Sequence, residues 1–331
     1  MQTNSYTHSM QDMMGGIFGL ELAEHDNFPY RESSSCAFVN SGRTALACIL
    51  DNLPRPRRVF LPLFSCDTLR EPLHGLPCSY YSCGENLAPI IPGDAGEEDL
   101  IILVNYFGLT GDRVREAATQ FPGTVIIDAT MALFCPPEPG IPAFYSPRKF
   151  AGVADGGVAC APFPLNARPT KQESGLENAP LLLRRLLYGA TASAEEAEQA
   201  EARLCGKRTA MSRLTRTLLR SIDFETAARK RQENYRTLHA ALAEINRLPL
   251  PDEAPHAPMC YPLVCRIPGL RDDLIDAGIA LPLFWPEVAE RTDALCPENR
   301  LTRSLLPLPL DQRYDKDDML HLISLICGKN A

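Results

Sequence analysis

No CxxC pair and no HExxH motif occurs anywhere in the 331 residues. Twelve cysteines are present, but the closest pairs, Cys78 with Cys83 and Cys260 with Cys265, have neither a second pair at finger-like spacing nor a histidine motif. No metal site is expected from them. The reading that fits is a set of thiols scattered through a core in a reducing cytosol. A basic excess is also missing: 33 Lys and Arg face 41 Asp and Glu, for a formal charge of −8. That argues against general nucleic-acid binding, which needs a positive field. No run approaches the eighteen apolar residues of a membrane span. The opening MQTNSYTHSMQDMMGGIFGL carries no Lys or Arg and no sustained apolar block, so no secretory signal is expected either. There is no internal repeat and no low-complexity tract. The expectation is a soluble, cytoplasmic protein, 45% hydrophobic and 22% charged, long enough for one large domain with a smaller companion.

From about residue 36 to 160, apolar runs alternate with helix-like segments. RRVFLPLF, CSYYS, DLIILVNYF and GTVIIDAT read as buried strands, rich in Val, Ile, Leu and aromatics and bounded by Pro, Gly or acidic clusters. Between them SGRTALACILDNL spaces Ala45, Leu46, Ile49, Leu50 and Leu53 along one helical face, with Asn40 or Ser41 placed to cap its start. GDRVREAATQF is a second helix. Strand–helix alternation of this kind predicts an α/β layer around a mainly parallel sheet. After residue 178 the pattern turns helical, through APLLLRRLLYGA, SAEEAEQAEARL, AMSRLTRTLLRSI and the long charged FETAARKRQENYRTLHAALAEINRL, whose buried stripe is expected at Leu238, Ala241, Leu242 and Ile245. A proline-crowded stretch follows. The strand YPLVCRI, the helix LRDDLIDAGI, a second apolar run ALPLFWP and a final helix DKDDMLHLISLICG then make a small α+β unit. The division expected is an N-terminal arm at 1–35, a large domain at 36–222, and a small C-terminal domain at 223–331 that begins with a bridging helix.

Three places combine into chemistry, because α/β sheets bind ligands at the carboxyl ends of their strands. NSGRTAL puts backbone N–H groups and the positive end of a helix together, which suits a phosphate; a plain helix cap has the same sequence. Asp128 ends the strand TVIID, where a carboxylate meets a ligand cation or caps the next segment. Lys149 follows in FYSPRKFAGVADGGVAC. An amine in a partly desolvated cleft is a nucleophile able to form a Schiff base with an aldehyde, whereas a lone loop lysine is merely solvated. Gly156 and Gly157 let the chain turn tightly there. A phosphate cradle, a strand-end aspartate and a downstream lysine, in that order, are what pyridoxal 5′-phosphate needs: a lysine for the aldehyde, a carboxylate to keep the pyridine nitrogen protonated, and a helix terminus for the phosphate.

The chain also resembles the DegT/StrS family of fold-type-I, pyridoxal-phosphate-dependent sugar aminotransferases, in a shorter-chain branch. The resemblance runs through NSGRTAL, RVFLPLFSCDTL, LVNYFG, VIIDAT, YSPRKFAGVADGG, RKRQENYRTL and LLPLPLDQRY in family order. It implies a large domain around a mixed seven-stranded sheet, a small C-terminal domain, and a homodimer with its active sites at the interface. It implies that Lys149 is the Schiff-base lysine and Asp128 the partner of the pyridine nitrogen. Ser41, Gly42, Arg43 and Thr44 match the phosphate turn, Ser146 adds a hydroxyl, and Asn105 stands where the family often has a histidine near the cofactor. The reaction implied moves an amino group from an amino acid such as glutamate to a keto group, on a nucleotide-linked sugar for surface-polysaccharide synthesis.

Departures from the family pattern are visible. Three residues after Asp128, where Gln or His is usual, stands Met131, which cannot donate a hydrogen bond. Cys66 occupies the position of an aromatic ring that stacks on the cofactor. Ser146 lies three residues before Lys149 rather than five. The partner-lent asparagine has no counterpart in GKRTAMSRLTR, where Ser212 or Arg213 would substitute. Sugar dehydratases on this fold carry histidine in place of the lysine, so Lys149 separates the chain from them. The alternatives are a pyridoxal-phosphate enzyme of another reaction type and a non-catalytic homologue, a regulator or scaffold that keeps the fold.

Overall fold

A computed structural model describes residues 19–189 and 194–328. The opening residues in which no secretory signal is expected, and half of the 1–35 arm, lie outside the described residues. Seven strands form one sheet in the order β1-β7-β6-β5-β4-β2-β3. They are β1 (Cys36–Val39), β2 (Val59–Pro62), β3 (Cys78–Tyr81), β4 (Leu100–Val104), β5 (Thr124–Asp128), β6 (Ala143–Tyr145) and β7 (Gly157–Cys160). Strands β3, β2, β4, β5 and β6 run parallel; β7 is antiparallel to both β6 and β1. The sheet is therefore mixed and mainly parallel, as the alternating pattern predicts.

The continuous apolar runs have a direct cause: both faces of the sheet are covered, so successive side chains enter different cores. Leu100 and Ile102 of β4 join Val39, Val59, Leu61 and Ile126 on one side, whereas Ile101 and Leu103 join Phe60, Ile127 and Tyr145 on the other. Helix α1 (Gly42–Leu50) covers the first face with Ala45, Leu46 and Ile49, all fully buried. Its cap is Ser41, whose hydroxyl accepts the Thr44 amide at 3.1 Å. The arm packs too: Phe28 and Tyr30 are buried, and the Tyr30 hydroxyl donates to the Leu133 carbonyl at 2.8 Å.

Helices α2 (Gly111–Gln120), α3 (Ala179–Tyr188), α4 (Ala194–Leu204) and α5 (Arg213–Ser221) follow the sequence reading. The long helix α6 (Phe224–Leu242) stops before Ile245, and Ala241 is exposed. Its buried stripe is Phe224, Ala227, Arg231, Asn234, Tyr235, Leu238 and Leu242. The stripe is polar in its middle because Arg231 and Asn234 bond carbonyls of neighbouring segments instead of facing water. The C-terminal part holds a two-stranded antiparallel sheet, β8 (Tyr261–Leu263) with β9 (Leu306–Leu308), and helices α7 (Leu270–Asp276), α8 (Pro286–Arg291), α9 (Pro297–Ser304) and α10 (Lys316–Cys327). The partner of β8 is thus LLPLPL rather than ALPLFWP, whose Phe284 and Trp285 pack on Phe107 and Phe64 instead.

Candidate active site

Strand direction sets the site. β1, β2, β5 and β6 all end at the same edge of the sheet. There the chain leaves β1 into the α1 cap, β2 toward Cys66, β5 at Asp128, and β6 into Ser146 and the 3-10 turn Pro147–Lys149. A cavity of about 300 Å³ opens at this edge, lined by Ser41, Gly42, Arg43, Cys66, Thr68, Pro72, Asp128, Thr130, Ser146, Arg148, Lys149 and Glu201, with Leu46, Leu69 and Phe144 as apolar walls. That volume sits at the lower end of the range for small-molecule pockets.

Thr130 joins the two ionisable groups singled out in the sequence. The Asp128 carboxylate accepts the Thr130 amide at 2.8 Å, and the Lys149 ammonium donates to the Thr130 hydroxyl at 2.9 Å. Asp128 is buried, and burial pushes its carboxyl above the ordinary carboxylate value, opposed by the Lys149 charge and the Thr130 hydrogen bonds. A buried carboxylate in this state gains from a second cation. Lys149 stands at the exposed rim.

The glycine pair serves the cradle. An added Cβ on Gly157 would lie 2.1 Å from the Ser41 carbonyl oxygen, and Gly156, at φ +132°, donates its amide to the Asn40 carbonyl at 2.7 Å. Strand β7 thereby presses directly on the Ser41–Gly42 turn, and a side chain on it would push that turn off the cavity. Asp155, just before, is buried and fixed by the Ser212 hydroxyl at 2.8 Å and the Ser212 amide at 3.1 Å. Ser212 is fully buried, so its hydroxyl belongs to this clamp and is not presented to a partner subunit.

Of the ten residues marked in the sequence, Ser41, Gly42, Arg43, Cys66, Asp128, Ser146 and Lys149 line the one cavity. Thr44 does not; its amide is taken by Ser41, its hydroxyl donates to the Lys207 carbonyl at 3.2 Å, and it borders an adjacent cleft. Asn105 turns away as well. Its side chain accepts the Thr110 amide at 3.2 Å ahead of α2, beside a separate cavity with Cys135 and His256. Met131 is buried among core residues that include Leu133 and Phe150. Its inability to donate a hydrogen bond is therefore no defect of this cavity. The Cys66 thiol lies 3.0 Å from the Thr68 hydroxyl.

Sequence reasoning overlooked Thr130, Thr68 and Glu201. Thr130 was detectable, since it sits two residues past the strand-end aspartate. Glu201 was not: it is one of several glutamates on the surface helix α4 and reaches the cavity only through the tertiary fold. There it accepts from Arg148 at 2.9 Å and Arg43 at 2.7 Å. Burial alone would raise its carboxyl, but Arg148 and then Arg43 hold it below the ordinary value.

No protein-family model matches the sequence, and no curated protein matches it. Solved structures do. The sugar aminotransferase CalS13 from Micromonospora echinospora superposes at TM-score 0.61 with 19% identity, covering 89% of this chain and 87% of that one. A DegT DnrJ EryC1 StrS aminotransferase from Brucella abortus gives TM-score 0.60 and 18% identity over 88% and 85% of the two chains. The E coli GDP-4-keto-6-deoxy-D-mannose-3-dehydratase with bound hydrated PLP gives 0.59 and 14% over 88% and 87%. At these identities the likeness establishes the fold, which is the one the sequence resemblance implies.

Proposed function

We propose that the protein is a pyridoxal-phosphate-dependent aminotransferase that moves an amino group from an amino acid, glutamate being the donor expected, to a keto group on a nucleotide-linked sugar. The observation that carries the reading is the convergence of Lys149 and Asp128 on one cavity at the N-terminus of α1. The fold shared with enzymes described as aminotransferases, one of them a sugar aminotransferase, supports it.

The residues present fit the cofactor. Gly42 forms a cradle in which a Cβ would sit 3.3 Å from the Thr130 methyl and 3.9 Å from the Ser146 Cβ. The donors are the start of α1, with Arg43, Ser146 and Arg148 around it, and suit a phosphate. Pyridoxal phosphate, when bound, supplies the aldehyde and the electron-accepting ring. The chain supplies the rest. Lys149 offers a primary amine at the rim and, on the same nitrogen, the proton carrier for the substrate carbon. The Thr130 hydroxyl holds that amine at 2.9 Å while its amide fixes Asp128, so acid and amine keep a set separation. Asp128, buried and short of positive charge, would be the residue that keeps the cofactor's ring nitrogen protonated. Phe144 and Leu69 give the cavity an apolar wall.

Residues 36–222 form the large unit carrying this cavity, and 223–331, entered through α6, the smaller one. The assembly in this reading is a homodimer: α3 exposes Leu183, Leu186, Leu187 and Tyr188, with Leu186 80% accessible, an apolar face that a second copy would cover. Sedimentation at twice the chain mass supports the dimer, and a monomer at micromolar concentration refutes it. For the reaction, protein loaded with pyridoxal phosphate is mixed with glutamate and read by absorbance. The reading expects conversion to the pyridoxamine phosphate spectrum and its reversal by a nucleotide-linked keto sugar. Bound cofactor that stays unchanged across a panel of amino donors would favour the non-catalytic homologue instead.

A further inference from the structure

The cavity contains a feature that amine, acid and helix terminus do not account for. Two guanidinium groups, Arg43 on α1 and Arg148 beside Lys149, converge on one carboxylate, Glu201 of α4. The arginines are largely covered, at 14% and 24% side-chain exposure, whereas Glu201 is 47% exposed on a surface helix. Arg43 has a second anchor in Glu71 at 3.1 Å, so it stays oriented if Glu201 leaves. All three bridging groups border the same cavity as Gly42 and Ser146.

We infer that Arg43 and Arg148 form a clamp for a phosphate group, that Glu201 occupies the clamp as a displaceable stand-in, and that α4 therefore gates entry of the phosphate. This deepens the proposed function and rests on it for the identity of the phosphate, but not for the existence of the clamp. The physical case is a competition between anions. A carboxylate brings one charge and two oxygens to the arginines. A phosphate monoester brings between one and two charges and three acceptor oxygens, and also reaches the positive end of α1. Glu201 is itself about half exposed, so solvent screens the pair and water can replace its bonds. Paired arginines with no anion between them would repel one another, and the Glu201 carboxylate offsets that repulsion in the unliganded site. The cost falls on affinity, since an entering phosphate must displace a tethered competitor.

The test uses the full chain, thermal unfolding in chloride and in rising inorganic phosphate, and three proteins: wild type, Glu201→Gln and Arg148→Met. Unfolding temperatures in chloride alone report whether each variant is folded. Wild type is expected to be stabilised by phosphate, Glu201→Gln to reach half-saturation at roughly tenfold lower phosphate, as loss of one nearby charge predicts, and Arg148→Met to lose most of the response. A midpoint for Glu201→Gln within twofold of wild type, or weaker, makes Glu201 a permanent latch and overturns the gate. No phosphate response in wild type overturns the clamp. A second arm identifies the phosphate's source by comparing reductive trapping of pyridoxal and of pyridoxal phosphate on Lys149. Arg148→Met should lower the ratio of pyridoxal phosphate to pyridoxal trapping at least tenfold; an unchanged ratio overturns the clamp as the cofactor's. A phosphate response without trapping of either compound would sink the cofactor reading and leave the clamp standing.

Discussion

Removing Arg231 tests how the lysine's frame is held. The side chain is 2% exposed, on α6, and it donates to the Gln312 side-chain oxygen at 2.8 Å and to the Pro258 and Met259 carbonyls at 3.0 and 3.1 Å. It also lies over the Phe150 ring, 4.9 Å from its centre. Gln312 in turn donates to the Phe150 carbonyl at 2.8 Å, directly after Lys149. One guanidinium thus ties α6, the segment before β8, the turn after β9 and the lysine loop together. In Arg231→Met these three acceptors lose their charged donor, and the Phe150 carbonyl loses a longer contact at 3.5 Å. Each stranded buried acceptor costs about 1–3 kcal/mol. Against this, burial lowers the Arg231 pKa to about 10, opposed by Asp311. At neutral pH the group is charged folded and unfolded, so the folded protein carries that burial cost in full, and the variant is relieved of it. Wild-type stability correspondingly rises as pH climbs past about 10, where the folded chain gives up the proton that the unfolded chain keeps. The net expectation is a loss of about 3 kcal/mol, at the lower end of the range for broken buried networks. Trp285, the single tryptophan, packs 4.7 Å from Phe64 and reports urea unfolding by fluorescence. Arg231→Lys, which keeps the charge without the fork, should lose a similar amount. A Met variant within 0.5 kcal/mol of wild type would refute the network argument.

Asp128→Asn should make the cofactor-free protein more stable at pH 7, by about 1 kcal/mol, while abolishing tight cofactor retention. The sign follows from burial: a carboxyl whose folded pKa is raised favours the folded state at low pH and disfavours it as pH rises through that value. The stability gain should therefore vanish in acid, and a destabilised variant at pH 7 contradicts the assignment. Gly157→Ala places a methyl 2.1 Å from the Ser41 carbonyl, which a backbone contact cannot accommodate without moving the turn. A loss of about 3 kcal/mol or more is expected, together with loss of the phosphate response; a thermal midpoint equal to wild type would show that β7 does not press on the cradle.

The seven-stranded sheet is legible in the order of residues along the chain where one interaction dominates. Strand β4 is five apolar residues because both its faces are covered, and α1 shows its buried face at Ala45, Leu46 and Ile49 with Ser41 as cap. The C-terminal part was harder. ALPLFWP looks as strand-like as LLPLPL, and only the packing of Trp285 against Phe64 and Tyr106 decides that the first stays irregular. In α6 the pattern predicts Ala241 in the buried stripe, where it is exposed, and it misses the middle of the stripe, which hydrogen bonds from Arg231 and Asn234 hold and hydrophobic periodicity cannot register. In the site, Asp128 and Lys149 were legible because their local contexts, a strand end and a glycine-flanked loop, are unusual for charged residues. The placement of Asn105 was not, since family position cannot tell which way a side chain turns once Thr110 offers it an amide.

In the proposed function Lys149 forms the covalent bond to pyridoxal phosphate, with Asp128 on the same cavity. Incubating the purified chain with pyridoxal phosphate, reducing with borohydride and sequencing the peptides by mass spectrometry tests it most directly. One phosphopyridoxyl group per chain is expected on Lys149, and none in Lys149→Ala. Modification spread over surface lysines, or undiminished in the alanine variant, would contradict it.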